Sequence, residues 1–95
     1  MHVTVHYLAQ MKRAAGCSSE SVIVPEAADV RGFLLALADH HGATLRSLLL
    51  DEANEPRKSL LFFIGEDHAG PGQRLQEGDV VTILAPMAGG SMLFV

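Results

Sequence analysis

Cysteine is almost missing from this chain: Cys17 is the single one among 95 residues. One thiol excludes an internal disulfide and any cysteine-built zinc or iron–sulfur centre within one chain. Basic clusters are equally scarce. Seven Lys and Arg face eleven Asp and Glu for a net charge of −4, and the only adjacent basic pairs are Lys12-Arg13 and Arg57-Lys58. Phosphate backbones demand concentrated positive charge, so nucleic acid is not an expected partner. An acidic surface suits a basic protein instead. No run approaches the roughly 18 apolar residues of a membrane span, and MHVTVHYL lacks the charged start and apolar stretch of a signal peptide. The expectation is a cytoplasmic protein with no membrane partner. Charged residues make up only 19% of the chain against 48% hydrophobic, which argues for a packed core and against disorder. A chain of this length suits one domain, burying roughly 60–65% of its unfolded surface.

MHVTVHYL alternates, with Met1, Val3, Val5 and Tyr7 on one face and His2, Thr4 and His6 on the other. Period two with β-branched residues predicts a half-buried strand. AQMKRAAG reads as one helical turn or an ordered loop closing at Gly16, and SVIV as a second strand returning antiparallel to the first. The clearest helix follows. Val30, Phe33, Leu34, Leu37 and Ala38 form a single apolar stripe, with Asp29 as N-cap and Gly42 as a left-handed stop. TLRSLLL predicts a shorter helical turn and DEANEPRK a polar loop. SLLFFI is a continuous apolar strand, GEDHAGPGQ is expected to be loop, and VVTILA is the last strand, stopped by Pro86. The first and last strands suit the middle of the sheet. The fold class is α+β: a β-grasp, ubiquitin-like mixed sheet of about four to five strands, with one main helix packed across one face.

The segment LQEGDVVTILAPMAGG places a leucine, the Gly78-Asp79 turn, an apolar strand, Pro86 and Gly89-Gly90 in fixed order. With the opening strand followed by LAQMKRAAG, and with VIVPEAADVRGFLLALADHHG, it resembles the MoaD/ThiS family of ubiquitin-like sulfur-carrier proteins over nearly the whole chain up to Gly90. The resemblance implies a carrier rather than an enzyme, with no bound cofactor. An E1-like adenylating partner would use ATP to activate the carboxylate of Gly90, which is then converted to a thiocarboxylate. The sulfur would pass to an acceptor enzyme such as the large subunit of molybdopterin synthase, molybdenum-cofactor synthesis being the most populous branch. Gly89 would supply steric clearance in a partner's channel, since glycine lets backbone approach catalytic groups closely. Pro86, Met87 and Ala88 would line the partner's groove.

Five residues, SMLFV, follow Gly90. While they remain, the Gly90 carbonyl is an amide and cannot be adenylated. The resemblance implies a domain over residues 1–90, an extension over 91–95, and cleavage between Gly90 and Ser91 by a trimming metallopeptidase. A competing reading keeps the tail: LFV could add a strand to a sheet edge, leaving a β-grasp interaction module without carrier chemistry.

SLLFFI offers a second contact surface. Either Leu61 and Phe63 or Phe62 and Ile64 face away from the helix, and the outward pair is expected to meet partner proteins. Which pair that is stays open in the sequence. His2, His6, His40, His41 and His68 read as solvated, with His40-His41 facing the negative end of their helix, so no metal site is assigned. Cys17 reads as an incidental thiol. Asp51, Glu52 and Glu55 read as a solvated acidic loop that pairs with Arg57-Lys58.

Overall fold

The computed structural model describes residues 1–84. The opening alternation becomes strand β1, His2–Tyr7, with Val3, Val5 and Tyr7 buried on one face. Helix α1 (Gln10–Ala15) follows and ends at Gly16, whose left-handed backbone lets its N–H reach the Lys12 carbonyl at 3.0 Å. Strand β2 (Ser19–Ile23) returns antiparallel, setting Val22 opposite Val3 and Glu20 opposite Val5.

Helix α2 (Val30–His41) buries the stripe Val30, Phe33, Leu34, Leu37 and Ala38. Each N–H of its first turn is satisfied. Val30 and Arg31 donate to the Gln73 and Pro71 carbonyls at 3.0 Å, Gly32 to the Asp29 carboxylate at 2.8 Å, and Phe33 to the Asp29 carbonyl at 3.0 Å. The loop leading into the last strand, through Pro71 and Gln73, therefore completes the cap that Asp29 begins.

Gly42 departs from the expected left-handed stop. Its φ is 91° but its ψ is −162°. Helix α3 (Ala43–Leu49) starts at the next residue, so the chain must change direction within one residue. The Gly42 N–H donates to Ala38 and its carbonyl accepts from Arg46, both at 3.0 Å, tying the two helices through one glycine.

Strand β3 (Leu61–Ile64) is followed by a strand where loop was expected: β4 (Asp67–Ala69) pairs antiparallel with β3, Phe62 opposite Ala69. Strand β5 (Val80–Leu84) follows the Gly78-Asp79 turn, where the Gly78 N–H donates to the His2 carbonyl at 2.8 Å. That bond delivers β5 alongside β1. The sheet order is β2-β1-β5-β3-β4, with β1 and β5 parallel and the other pairings antiparallel. One core cluster joins α2 and α3 to the inner face of this sheet through Val3, Val5, Tyr7, Phe62, Val81 and Ile83. This is the α+β, β-grasp architecture expected from the sequence.

Candidate functional site

Residues directly opposite each other in a ladder share a face, so register assigns the two sides of SLLFFI. Phe62 lies opposite Ile83, and Ile64 opposite Val81, both buried partners on the helix side. Leu61 lies opposite Leu84, and Phe63 opposite Thr82, on the side away from the helix. Phe62 is 3% exposed and belongs to the core, so it has no surface to offer a partner, and Ile64 packs against that core from its margin. The outward pair is Leu61 and Phe63. Both are half-buried, and the Phe63 ring meets His68 of β4 edge to face with centroids 5.5 Å apart.

The outward face is therefore apolar at the end where β5 stops. Leu61, Phe63 and Leu84 gather there, with Thr82 beside them. Toward the other end of the face lie Val80, Thr4 and the exposed Ile23. The residues that carry the proposed acyl chemistry and its approach (Pro86, Met87, Ala88, Gly89, Gly90 and Ser91) lie outside the described residues. What the structure fixes is their point of departure. β5 runs through the centre of the sheet, held by β1 on one side and β3 on the other, and ends at Leu84 beside the Leu61–Phe63 patch.

A second cluster occupies the same end of the sheet on its inner side. Glu20 of β2 faces inward with Val22, and Tyr7 at the end of β1 donates its hydroxyl proton to Glu20 Oε2 at 2.6 Å. His41 Nε2 contacts the same oxygen. His40 Nε2 stands 3.9 Å from Glu20 Oε1, and Tyr7 Oη is 3.4 Å from His41 Nε2. Burial by itself would raise the Glu20 carboxyl, but hydrogen bonds from Tyr7 and His41 outweigh it and hold the group below its usual range. Burial and the Glu20 carboxylate push the Tyr7 hydroxyl far above its ordinary value, so it stays a neutral donor. The half-buried Cys17 thiol is likewise pushed up, by burial first and then by Glu20. A raised thiol is a poor nucleophile.

The partner of His40 and His41 is Glu20, an acid that the histidine pattern in the sequence does not point to. His41 is not solvated: its side chain is 15% exposed against 66% for His40. The available signal was Glu20 itself, an acid at period two with Val22 on a strand whose other face runs Ser19, Ser21, Ile23. The acidic loop also pairs differently from expectation. Glu55 is held by Arg31, through Nε at 2.9 Å and Nη2 at 2.6 Å, whereas Arg57 donates to the Ser47 carbonyl at 2.7 Å. Arg31 lies in the first turn of α2, 24 residues before Glu55 in the chain, a partner that sequence proximity does not suggest.

The profile of the ThiS family matches residues 5–90. No curated protein sequence matches the chain at a significant level. Among solved structures, SAMP1 from Haloferax volcanii superposes with a TM-score of 0.85 at 23% identity, over 95% of this chain and 100% of that one. A Pyrococcus furiosus protein provisionally assigned as molybdopterin converting factor subunit 1 gives 0.74 at 22% identity, over 92% and 99%. A chain of the Amycolatopsis orientalis BexX/CysO complex gives 0.68 at 22% identity, over 93% and 99%. These likenesses establish the fold, and among the described residues no helix is long and apolar enough to cross a membrane. With that fold and a family match running through Gly90, the chain belongs to the ThiS family of ubiquitin-like sulfur carriers.

Proposed function

We propose that this protein is a sulfur carrier whose Gly90 carboxylate, freed by removal of residues 91–95, is adenylated by a partner enzyme and converted to a thiocarboxylate. The observation that carries this reading is the end of the family match: it stops at residue 90, the second glycine of Gly89-Gly90, and leaves SMLFV outside. The carboxylate displaces pyrophosphate from ATP, and hydrosulfide supplied at the partner's site then displaces AMP from the acyl-adenylate, the C–S bond forming as the acyl C–O bond to the phosphate breaks. The carrier supplies the carboxylate and a docking face, and the partner supplies catalysis. Residues 85–90 can span at most about 20–22 Å from the end of β5, enough for Gly90 to enter a partner's nucleotide site while the sheet stays outside. Molybdopterin synthesis is the favoured destination of the sulfur, with the large subunit of the synthase as acceptor. The Pyrococcus furiosus neighbour supports that choice.

Structures of small archaeal modifier proteins among the similar folds favour a second use of the same terminus, an isopeptide bond to protein lysines. Intact mass of the protein from its native host, with and without a thiol-alkylating reagent, separates the readings. A chain ending at Gly90 with an alkylatable C-terminus is the expected result. A Gly90-modified lysine on another protein supports conjugation. A chain still ending at Val95 while the pathway is active overturns both and returns the module reading.

A further inference from the structure

The cluster of Glu20, His40 and His41 is not needed for the carrier chemistry, and its donor set is that of a metal centre. Each residue presents one ligand atom, and the three atoms lie within 4.8 Å of one another. We propose that these side chains form a binding site for a divalent transition cation of the zinc class. Two imidazole nitrogens with one carboxylate oxygen suit zinc, nickel or copper, whereas magnesium and calcium prefer all-oxygen surroundings.

Three features of the site favour a cation. Both histidines sit in the last turn of α2, where the free carbonyl ends of a twelve-residue helix place partial negative charge. Although consecutive on that helix, they straddle one carboxylate: His41 Nε2 meets Oε2, and His40 Nε2 stands off Oε1. Glu20 is also held from outside by Tyr7, whose hydroxyl donates to Oε2 at 2.6 Å. Such outer hydrogen bonds orient metal-binding carboxylates in known centres.

Ligands around a tetrahedral zinc at about 2.0–2.1 Å are roughly 3.3 Å apart. The contact between His41 and Glu20 must open, and the 3.9 Å gap from His40 to Glu20 must close. His40 is free to make that adjustment, its side chain being 66% exposed. His41 and Glu20, 15% and 20% exposed, form the fixed floor. Three protein ligands leave a position open to water or to a donor from another molecule.

The test uses the full chain, stripped with a chelator and titrated with Zn(II) by calorimetry, while backbone amide NMR maps the perturbed residues. One ion per chain is expected, with shifts centred on Glu20, His40 and His41. His40→Ala leaves the metal-free Tm unchanged and weakens binding by more than the roughly 10- to 100-fold that loss of an outer partner costs. Tyr7→Phe weakens it by about 10-fold or more through that outer bond. His68→Ala, on the other side of the sheet, leaves it unchanged. Absence of Zn(II) uptake overturns the proposal. So does uptake of undiminished affinity in His40→Ala, or shifts centred on His2, His6 and the N-terminus. A chain that binds Zn(II) here and still ends at Val95 separates this site from the carrier reading.

Discussion

Glu55 shows how one side chain can tie two distant elements without being buried. Its two oxygens accept from Nε and Nη2 of Arg31, joining the loop after α3 to the first turn of α2. The Arg31 hydrogen bonds hold the Glu55 carboxyl below its usual range. A carboxylate lowered on folding stabilises the protein above its unfolded pKa of about 4.3, and that contribution is lost as pH falls through the folded value. In urea denaturation, Glu55→Gln is therefore expected to have a lower midpoint than the parent at pH 7. The two midpoints converge once the pH drops below the folded pKa. A gap that persists in acid would mean that the side chain acts through packing instead. Residue types alone conveyed some of this chemistry. Asp29 was legible as a cap because its type and place before an apolar stripe suffice. The Glu20 cluster was not, because Tyr7, Glu20 and His41 meet only through the register of β1 with β2 and the docking of α2. No local pattern encodes either.

At the scale of elements, α2 carries a residue that works against it. Gly32 lies in its first turn, and a Cβ there would meet Asp29 Oδ1 at 3.4 Å and Ala28 Cβ at 3.9 Å, both ordinary contacts. Gly32→Ala is expected to stabilise the protein by about 0.5–1 kcal/mol, read as a rise in Tm, because alanine loses less backbone entropy in a helix. A fall in Tm would show that the Asp29 cap needs the open side of glycine. Periodicity made α2 readable almost to the residue, since a stripe at helical spacing has one consistent reading. It left β4 invisible. Asp-His-Ala between glycines has no alternation to detect, and those residues become a strand only because β3 offers a partner across the Gly65-Glu66 turn. SLLFFI stood between these cases. Continuous apolarity identified a strand, but only pairing with β5 decided which parity faces out.

For the whole molecule, the outward face and the departure point of the chain end form one surface, so docking and delivery can be tested together. Phe63→Glu places a charge beside Leu61 and Leu84 without entering the core. It is expected to leave Tm within a few degrees of the parent. If the carrier proposal holds, it should weaken binding to an adenylating partner by more than about 30-fold, as loss of a central interface anchor does. Unchanged binding in a folded variant would move the docking site elsewhere. The central position of β5 also has a mechanical consequence. β1 starts at one end of the sheet and β5 finishes at the other, side by side and parallel. Tension on the two chain ends then pulls the strands lengthwise past each other, and the ladder bonds on both sides of β5 bear the load together rather than opening one at a time. Under the carrier proposal, a partner that draws Gly90 into its site can tug on this end without peeling a strand from the sheet.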